Sequence, residues 1–350
     1  MILRLATYNV EWFDALFARN GKPLPDHHWS ARHNITRERQ LEALRTVFAT
    51  IDADAVMVIE APDTSSRRDT RRALEQFADW AGIRANTVEI GYVNETQQEI
   101  ALLYDPLVLR ARHDPQGAPA DLGPSDEPPA FNSVYRIDLD VDAAPEPVSF
   151  SKPPLELAME VRATGQAFRM IGVHVKSKAP HGARNRDDVI RISIENRRKQ
   201  LAQCIWLRAR VARHLAAGEP LVVLGDFNDG PGLDEFEALF GRSSVEIVMG
   251  RDDPRVTPDA QLFDPFADAL LSGADTPSTA RFYIDKERRW LDAMLDYVMV
   301  SPDLVSRAAW RIWHPDTDAE AAARPDLARA LLTASDHFPV SVDIDFGARG

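Results

Sequence analysis

A single cysteine, Cys204, in 350 residues excludes any intrachain disulfide and any cysteine-rich zinc site. It falls at an apolar position of a helical pattern, which reads as a packed thiol rather than a reactive one. No apolar run reaches the length of a membrane span. The opening MILRLATYNV runs straight into a strand pattern, without the charged and apolar regions of a leader. The chain therefore reads as cytoplasmic, with an exported mature form the alternative, and with no obligate protein partner evident. Positive charge is also short, since 41 Lys and Arg against 54 Asp and Glu leave a net charge of −13. That balance argues against a tight, non-specific nucleic-acid binder, whose affinity comes from neutralising many phosphates. An enzyme with a local basic strip beside a carboxylate-rich site remains open.

What is present is ordinary for a globular chain with a sizeable core, at 45% hydrophobic and 27% charged residues. Short apolar runs alternate with amphipathic segments. Ile2–Tyr8, Ala55–Ile59, Ile100–Tyr104, Phe168–Val175, Leu221–Leu224, Asp296–Val300 and Pro339–Ile344 read as strands. Leu41, Leu44, Phe48 and Ile51 mark one helix face, and Ile194, Leu201, Ile205 and Ala212 a second in an Arg-rich helix. The stretch 111–155 is rich in Pro, Gly, Asp and Ala and holds two strand-like pieces, Ser133–Val141 and Leu155–Val161. It reads as an elaborated hairpin or loop inside a single domain spanning 1–350, and a polar, Ala-rich insertion covers about 314–333. No repeat of fixed short period is present.

Polar residues recur at the C-terminal ends of these apolar strands, where open α/β sheets place ligand-binding groups. Thr7-Tyr8-Asn9 ends the first strand, and Glu60 follows five apolar residues. A carboxylate there either caps the next helix or has a partner, such as a hard divalent cation that takes oxygen ligands. In LVVLGDFND, Asp226 and Asn228 either form an Asx-turn or divide the handling of a water and a phosphate oxygen. Asp296 lies inside an apolar run, better suited to orienting a histidine than to the surface. His174 sits in FRMIGVHVKSK with Lys176 and Ser177 just beyond, and Asp336 and His337 open the last strand in TASDHFPV. A lone histidine on an apolar face is ordinarily a satisfied core residue; here it keeps polar company.

Thr-x-Asn, strand-Glu, His-x-Lys-Ser, Gly-Asp-Phe-Asn, Asp-Tyr-Val and Ser-Asp-His occur in that order from residue 7 to 337. The ordered set resembles the endonuclease/exonuclease/phosphatase superfamily, which includes DNase I and exonuclease III. Gly-Asp-Phe-Asn and Ser-Asp-His are its most specific elements. The resemblance implies an α/β fold, a four-layer sandwich of two mixed β-sheets packed face to face with helices outside. It implies Glu60 as principal metal ligand, with Asn9 and Asp336 nearby. Asp226 and Asn228 would handle the attacking water and the scissile phosphate, and His337 would be held by Asp296. His174 would sit across the phosphate, paired with Glu99 of QEIALLYD as in DNase I-like members. His-x-x-Ser leans toward that branch. One position departs, because the family has Gln before its metal-binding Glu and this chain has Ile59, which removes a supporting amide.

The implied activity is hydrolysis of a phosphodiester with Mg²⁺ or Mn²⁺ at Glu60. Asp226 or the Asp296–His337 pair would be the base and Glu99–His174 the acid. DNA is the first expected substrate, and a lipid, inositol phosphate or other small phosphoester the alternative. A catalytically inactive binding module is the least favoured alternative, because every expected position carries a competent residue. Arg67, Arg68, Arg71 and Arg72 follow Glu60; Arg184, Arg186, Arg191, Arg197 and Arg198 follow His174. Each cluster either tracks a nucleic-acid backbone beside Lys176 and Ser177 or forms a solvated helix face. Asp26-His27-His28-Trp29 reads as a mobile loop, or as a second metal or base-stacking point.

Overall fold

The computed structural model describes residues 1–65, 68–93, 98–118, 127–137, 145–180, 182–232, 240–284 and 288–347. Its strands, in chain order, begin with β1 (Ile2–Asn9), β2 (Ala55–Pro62), β3 (Thr87–Ile90), β4 (Gln98–Tyr104) and β5 (Leu109–His113). Next come β6 (Tyr135–Ile137), β7 (Glu146–Val148), β8 (Leu155–Val161), β9 (Ala167–His174) and β10 (Leu221–Asp226). The last are β11 (Ala280–Ile284), β12 (Arg289–Ala293), β13 (Asp296–Val300), β14 (Ala308–Ile312) and β15 (Val340–Asp345). One six-stranded sheet runs β14-β15-β1-β2-β4-β3, and one five-stranded sheet runs β13-β10-β9-β8-β5. Both are mixed: β1–β2 and β10–β9 are parallel and their other pairings antiparallel. β6–β7 and β11–β12 are separate two-stranded pieces.

The period-two alternation of β1 decides which side chains meet. Leu3 and Leu5 join Met57, Ile59, Leu102 and Met170 in the core between the sheets. Ala6 and Tyr8 face the other way, into a second core with helices α1 (Arg37–Ile51) and α2 (Thr70–Ala81). On that parity Asn9 falls on the inter-sheet side. Gly172 of β9 permits the sheets to close, because a Cβ there would lie 2.4 Å from Met57 Sδ. His174, two residues on, is thereby directed at the opposite sheet.

α1 is capped by the Thr36 hydroxyl, which accepts from Arg39 N, and it buries Leu41, Leu44, Phe48 and Ile51 at the expected spacing. The long helix α3 (Arg186–Ala216) departs from its expected face. Its buried stripe includes Arg197, Gln200, Gln203 and Cys204, whereas Ile205 is only half-buried. Polar side chains take those positions because each finds a partner: Arg197 on Asp229, Gln200 on Phe227 O and Gln203 on Ser149 O. The Ala-rich stretch near 314–333 is largely helical. Ala319–Ala323 and Pro325–Ala334 are helical, and the second buries Leu327, Ala330, Leu331 and Ala334 in the core shared with α1. Alanine is a strong helix former that adds little hydrophobic bulk, so the segment looked polar. Of the expected strand Ser133–Val141, only Tyr135–Ile137 is described as strand, and 138–144 lies outside the described residues.

Candidate active site

The polar ends of β1, β2, β9, β10 and β13 converge at one edge of the two sheets. Asn9 on β1 reaches across, its Nδ2 donating to Asp226 Oδ2 at 2.9 Å. Asn9 Oδ1 is buried without a protein partner, an oxygen directed into the site. Asp226 stands opposite His174 on β9 and Asp296 on β13 by strand register. His337, three residues before β15, donates from Nδ1 to Asp296 Oδ2 at 2.7 Å. Asp226, Asp296 and His337 present ligand-type atoms all within 4.8 Å of one another, an acidic group that can hold a metal ion. Ser335 ties these elements together: its hydroxyl donates to Asn9 O (2.8 Å) and accepts from His337 N (3.2 Å) and Glu11 N (3.1 Å).

Two non-glycine residues adopt left-handed backbone here. Glu60 has φ +62°, at a β-bulge where the β2–β4 register shifts between Ile59 and Ala61. Without the bulge, Glu60 would share the parity of Val56 and Val58 and face the helices; Ala61 takes that side instead. Glu60 is thus turned toward the site, with Oε1 4.0 Å from Lys152 Nζ. Asn228 has φ +50°, and its backbone N donates to Asp226 Oδ1 at 2.7 Å, the geometry of an Asx-turn. Its amide Nδ2 is already directed at Val175 O (3.1 Å) and Asp226 Oδ2 (3.2 Å). Strain of this kind collects at functional sites.

The electrostatics divide the site into two ends. Burial works against the His337 charge, but Asp296, by charge and hydrogen bond, and then Asp226 and Asp336 hold the imidazole well above its ordinary value. Burial, then Asp296, raise the Asp226 carboxyl, against the pull of His337, Asn228 N–H and Asn9. At the other end, burial raises Glu60, opposed by Lys152 and His337 and reinforced by Asp336 and Asp14. Glu11 is raised by burial and by Asp336 and Glu60, against Arg32. Carboxylates that push one another up this way mark a place for a cation, and with the unpartnered oxygen of Asn9 they are the oxygen-rich donors a hard divalent ion takes.

His174 has a neighbour that the sequence did not point to. Its Nδ1 accepts from Lys152 Nζ at 3.1 Å, and its Nε2 lies 3.6 Å from Asp226 Oδ2. Burial and then Lys152, His337 and Lys176 hold its imidazole well below the ordinary value, so it stands neutral. Glu99 is buried on β4 and acts electrostatically on Lys152. Lys152 escaped the sequence reading because it lies in the Pro-flanked stretch 111–155, with no strand to index it. Glu11 escaped too, although its odd number continues the parity of Asn9.

The basic clusters are largely engaged. Arg68 sits 2.7 Å from Asp63 and 3.7 Å from Asp14, Arg197 is buried 2.6 Å from Asp229, and Arg198 is 3.3 Å from Glu146. Arg184 and Arg186 are exposed at the start of α3, and Arg67 lies outside the described residues. Lys176 is half-buried, its backbone N donating to Gln203, and Ser177 Oγ accepts from Ala179 N. His27 and His28 are exposed, beside Glu38 and Asp26 respectively. Among the described residues, no helix is long and apolar enough to cross a membrane.

Two facing mixed sheets with carboxylates, amides and histidines gathered at one edge define a phosphoester hydrolase with a potential metal site. The profile of the Endonuclease/Exonuclease/phosphatase family matches residues 6–337, and the chain belongs to that family, whose members hydrolyse phosphoesters and generally depend on a divalent metal. Among solved structures, it is similar to the 3′ phosphatase NExo from Neisseria, with TM-score 0.50, 16% identity, and 98% of this chain and 100% of that one covered. A humanized D. rerio TDP2 matches with TM-score 0.50 and 11% identity, over 98% of this chain and 99% of that one. These likenesses establish the fold. No curated protein matches the chain.

Proposed function

We propose that the chain is a nuclease that hydrolyses DNA phosphodiester bonds by in-line attack of water, with Mg²⁺ or Mn²⁺ as cofactor. The observation that carries this reading is the meeting of Asn9, His174, Asp226 and the Asp296–His337 pair across two sheets, beside the carboxylates Glu11, Glu60 and Asp336. Glu60, Asn9 and Asp336 would hold the cation. A divalent ion bound there supplies neutralisation of the charge that grows on a phosphate oxygen. Asp226, its carboxyl raised toward the proton-accepting range, takes the proton of the attacking water. His337, kept protonated by Asp296, offers a charged donor to the phosphate, and neutral His174 offers a second. Exposed Arg184 and Arg186 would meet the flanking backbone.

A small phosphoester is the second reading, favoured by a specific observation. Arg68, Arg197 and Arg198 are paired with carboxylates of this chain rather than exposed along a strip. The test sets bis(p-nitrophenyl) phosphate beside supercoiled plasmid, with Mg²⁺, Mn²⁺ or EDTA, for wild type and His337→Ala. Metal-dependent nicking that disappears with His337 supports the nuclease. Turnover of the diester with plasmid left intact moves the substrate to a small ester. Inactivity of folded, metal-loaded protein on both would refute the diesterase.

A further inference from the structure

Beside Nδ1 of His174 the structure places a cation, Lys152. Burial lowers the Lys152 pKa, opposed by Glu60, Asp226 and Glu99; as an ammonium it has donors and no acceptor, and the ring nitrogen Nδ1 of His174, 3.1 Å from Nζ, then accepts. The proton of a neutral imidazole then resides on Nε2, the nitrogen 3.6 Å from Asp226 Oδ2 and directed at the catalytic edge. A glutamate at Nδ1 would impose the opposite tautomer.

Lys152 is held for this contact from several sides. Phe150, two residues before it, is buried against Phe131 and Trp206 with ring centroids 5.5 and 5.2 Å away. Gln203 of α3 donates from Nε2 to Ser149 O at 3.0 Å and accepts from Lys176 N at 2.9 Å. One side chain thus clasps the segment that carries Lys152 to the segment just past His174. Pro153 and Pro154 follow directly, each fixing its own φ before β8 begins. The ammonium is also 4.0 Å from Glu60 Oε1, so it spans both ends of the site.

We infer that Lys152 is a positioning residue that fixes His174 as the Nε2–H tautomer, so that His174 serves as a hydrogen-bond donor to the phosphate and not as a proton shuttle. The second clause rests on the diesterase reading; the tautomer itself does not. The test is long-range ¹H–¹⁵N correlation of histidine-labelled, Mg²⁺-loaded protein, with His174 assigned by its loss in His174→Gln. Wild type is expected to show the Nε2–H pattern. Lys152→Met, an apolar replacement of similar length, is expected to lose it, and Lys152→Arg to restore it. On bis(p-nitrophenyl) phosphate, Lys152→Met should lower kcat about 10- to 100-fold with KM nearly unchanged, with partial recovery in Lys152→Arg. Thermal unfolding of each variant confirms that it is folded. An Nδ1–H ring in wild type, or an unchanged tautomer in Lys152→Met, overturns the inference. A tautomer change with no diester hydrolysis by any form upholds the positioning and rejects the catalytic reading.

Discussion

Gly225→Ala should damage both fold and site, and the size of the effect follows from the backbone. Gly225 has φ +142° and pairs with Val173 of the parallel neighbour β9. A Cβ at this position would lie 2.0 Å from Val173 O and 2.9 Å from Val173 C and N. The obstacle is backbone inside a sheet, so no side chain can swing away. The unfavourable φ costs about 1–3 kcal/mol, and forcing an atom into a packed position about as much again. With an unfolding entropy of roughly 2.1 cal/mol/K per residue, a total near 4 kcal/mol lowers Tm by about 5–6 °C for a chain of this length. Asp226 is the next residue, so its carboxylate shifts relative to Asn9 and His174, and kcat on a small diester should fall at least about tenfold at a temperature where the variant is folded. Gly218→Ala is the control: it has φ +68° with nothing within 4 Å of its added Cβ, so it carries backbone strain alone, about 1–2 kcal/mol. Calorimetry of both variants decides the matter. Equal Tm losses would refute the clash as the reason for glycine at this position.

Breaking the Asp296–His337 pair by Asp296→Asn should lower kcat on bis(p-nitrophenyl) phosphate about 10²- to 10⁴-fold. Adding His337→Ala should cost little more, since paired groups act as a unit; multiplicative losses would show that they act separately. Asp229, buried beside Asn228, accepts from Lys178 (2.5 Å), Arg197 (2.6 Å) and Ser244 N (2.7 Å). Burial works against its charge, but Lys178 and Arg197 outweigh it and hold the carboxyl below the usual range. The unfolded chain therefore binds this proton at higher pH than the folded one, and the stabilisation is present above about pH 4 and fades as pH falls through the lower folded value. Asp229→Asn should cost about 3–5 kcal/mol at pH 7 in urea unfolding, with the gap to wild type narrowing at pH 3. A gap that does not change with pH would contradict the assignment.

What the chain revealed in one dimension was what repeats with a strand's period of two. Asn9 follows Leu3 and Leu5 on one face of β1, His174 follows Met170 and Gly172 on β9, and register sets Asp226 beside His174 and Asp296. These positions were legible because alternation and strand ends are local properties; the two-sheet architecture was legible only through the family resemblance. Glu60 stood out as a carboxylate ending an apolar strand, but its direction was hidden: by parity it should have faced α1 and α2, and a bulge at φ +62° turns it inward. α3 was misread by about one residue of phase, because apolar spacing ignores Arg197, Gln200 and Gln203, whose burial depends on partners far along the chain. Lys152 is the extreme case. Its place beside His174 is set by Phe150 in an aromatic cluster and by the double hydrogen bond of Gln203, contacts that span tens of residues. Such a residue leaves no periodic trace, and the family pattern pointed to an acid instead. The positions that followed the family pattern were therefore the easiest to read, and the one most specific to this chain's chemistry was the hardest.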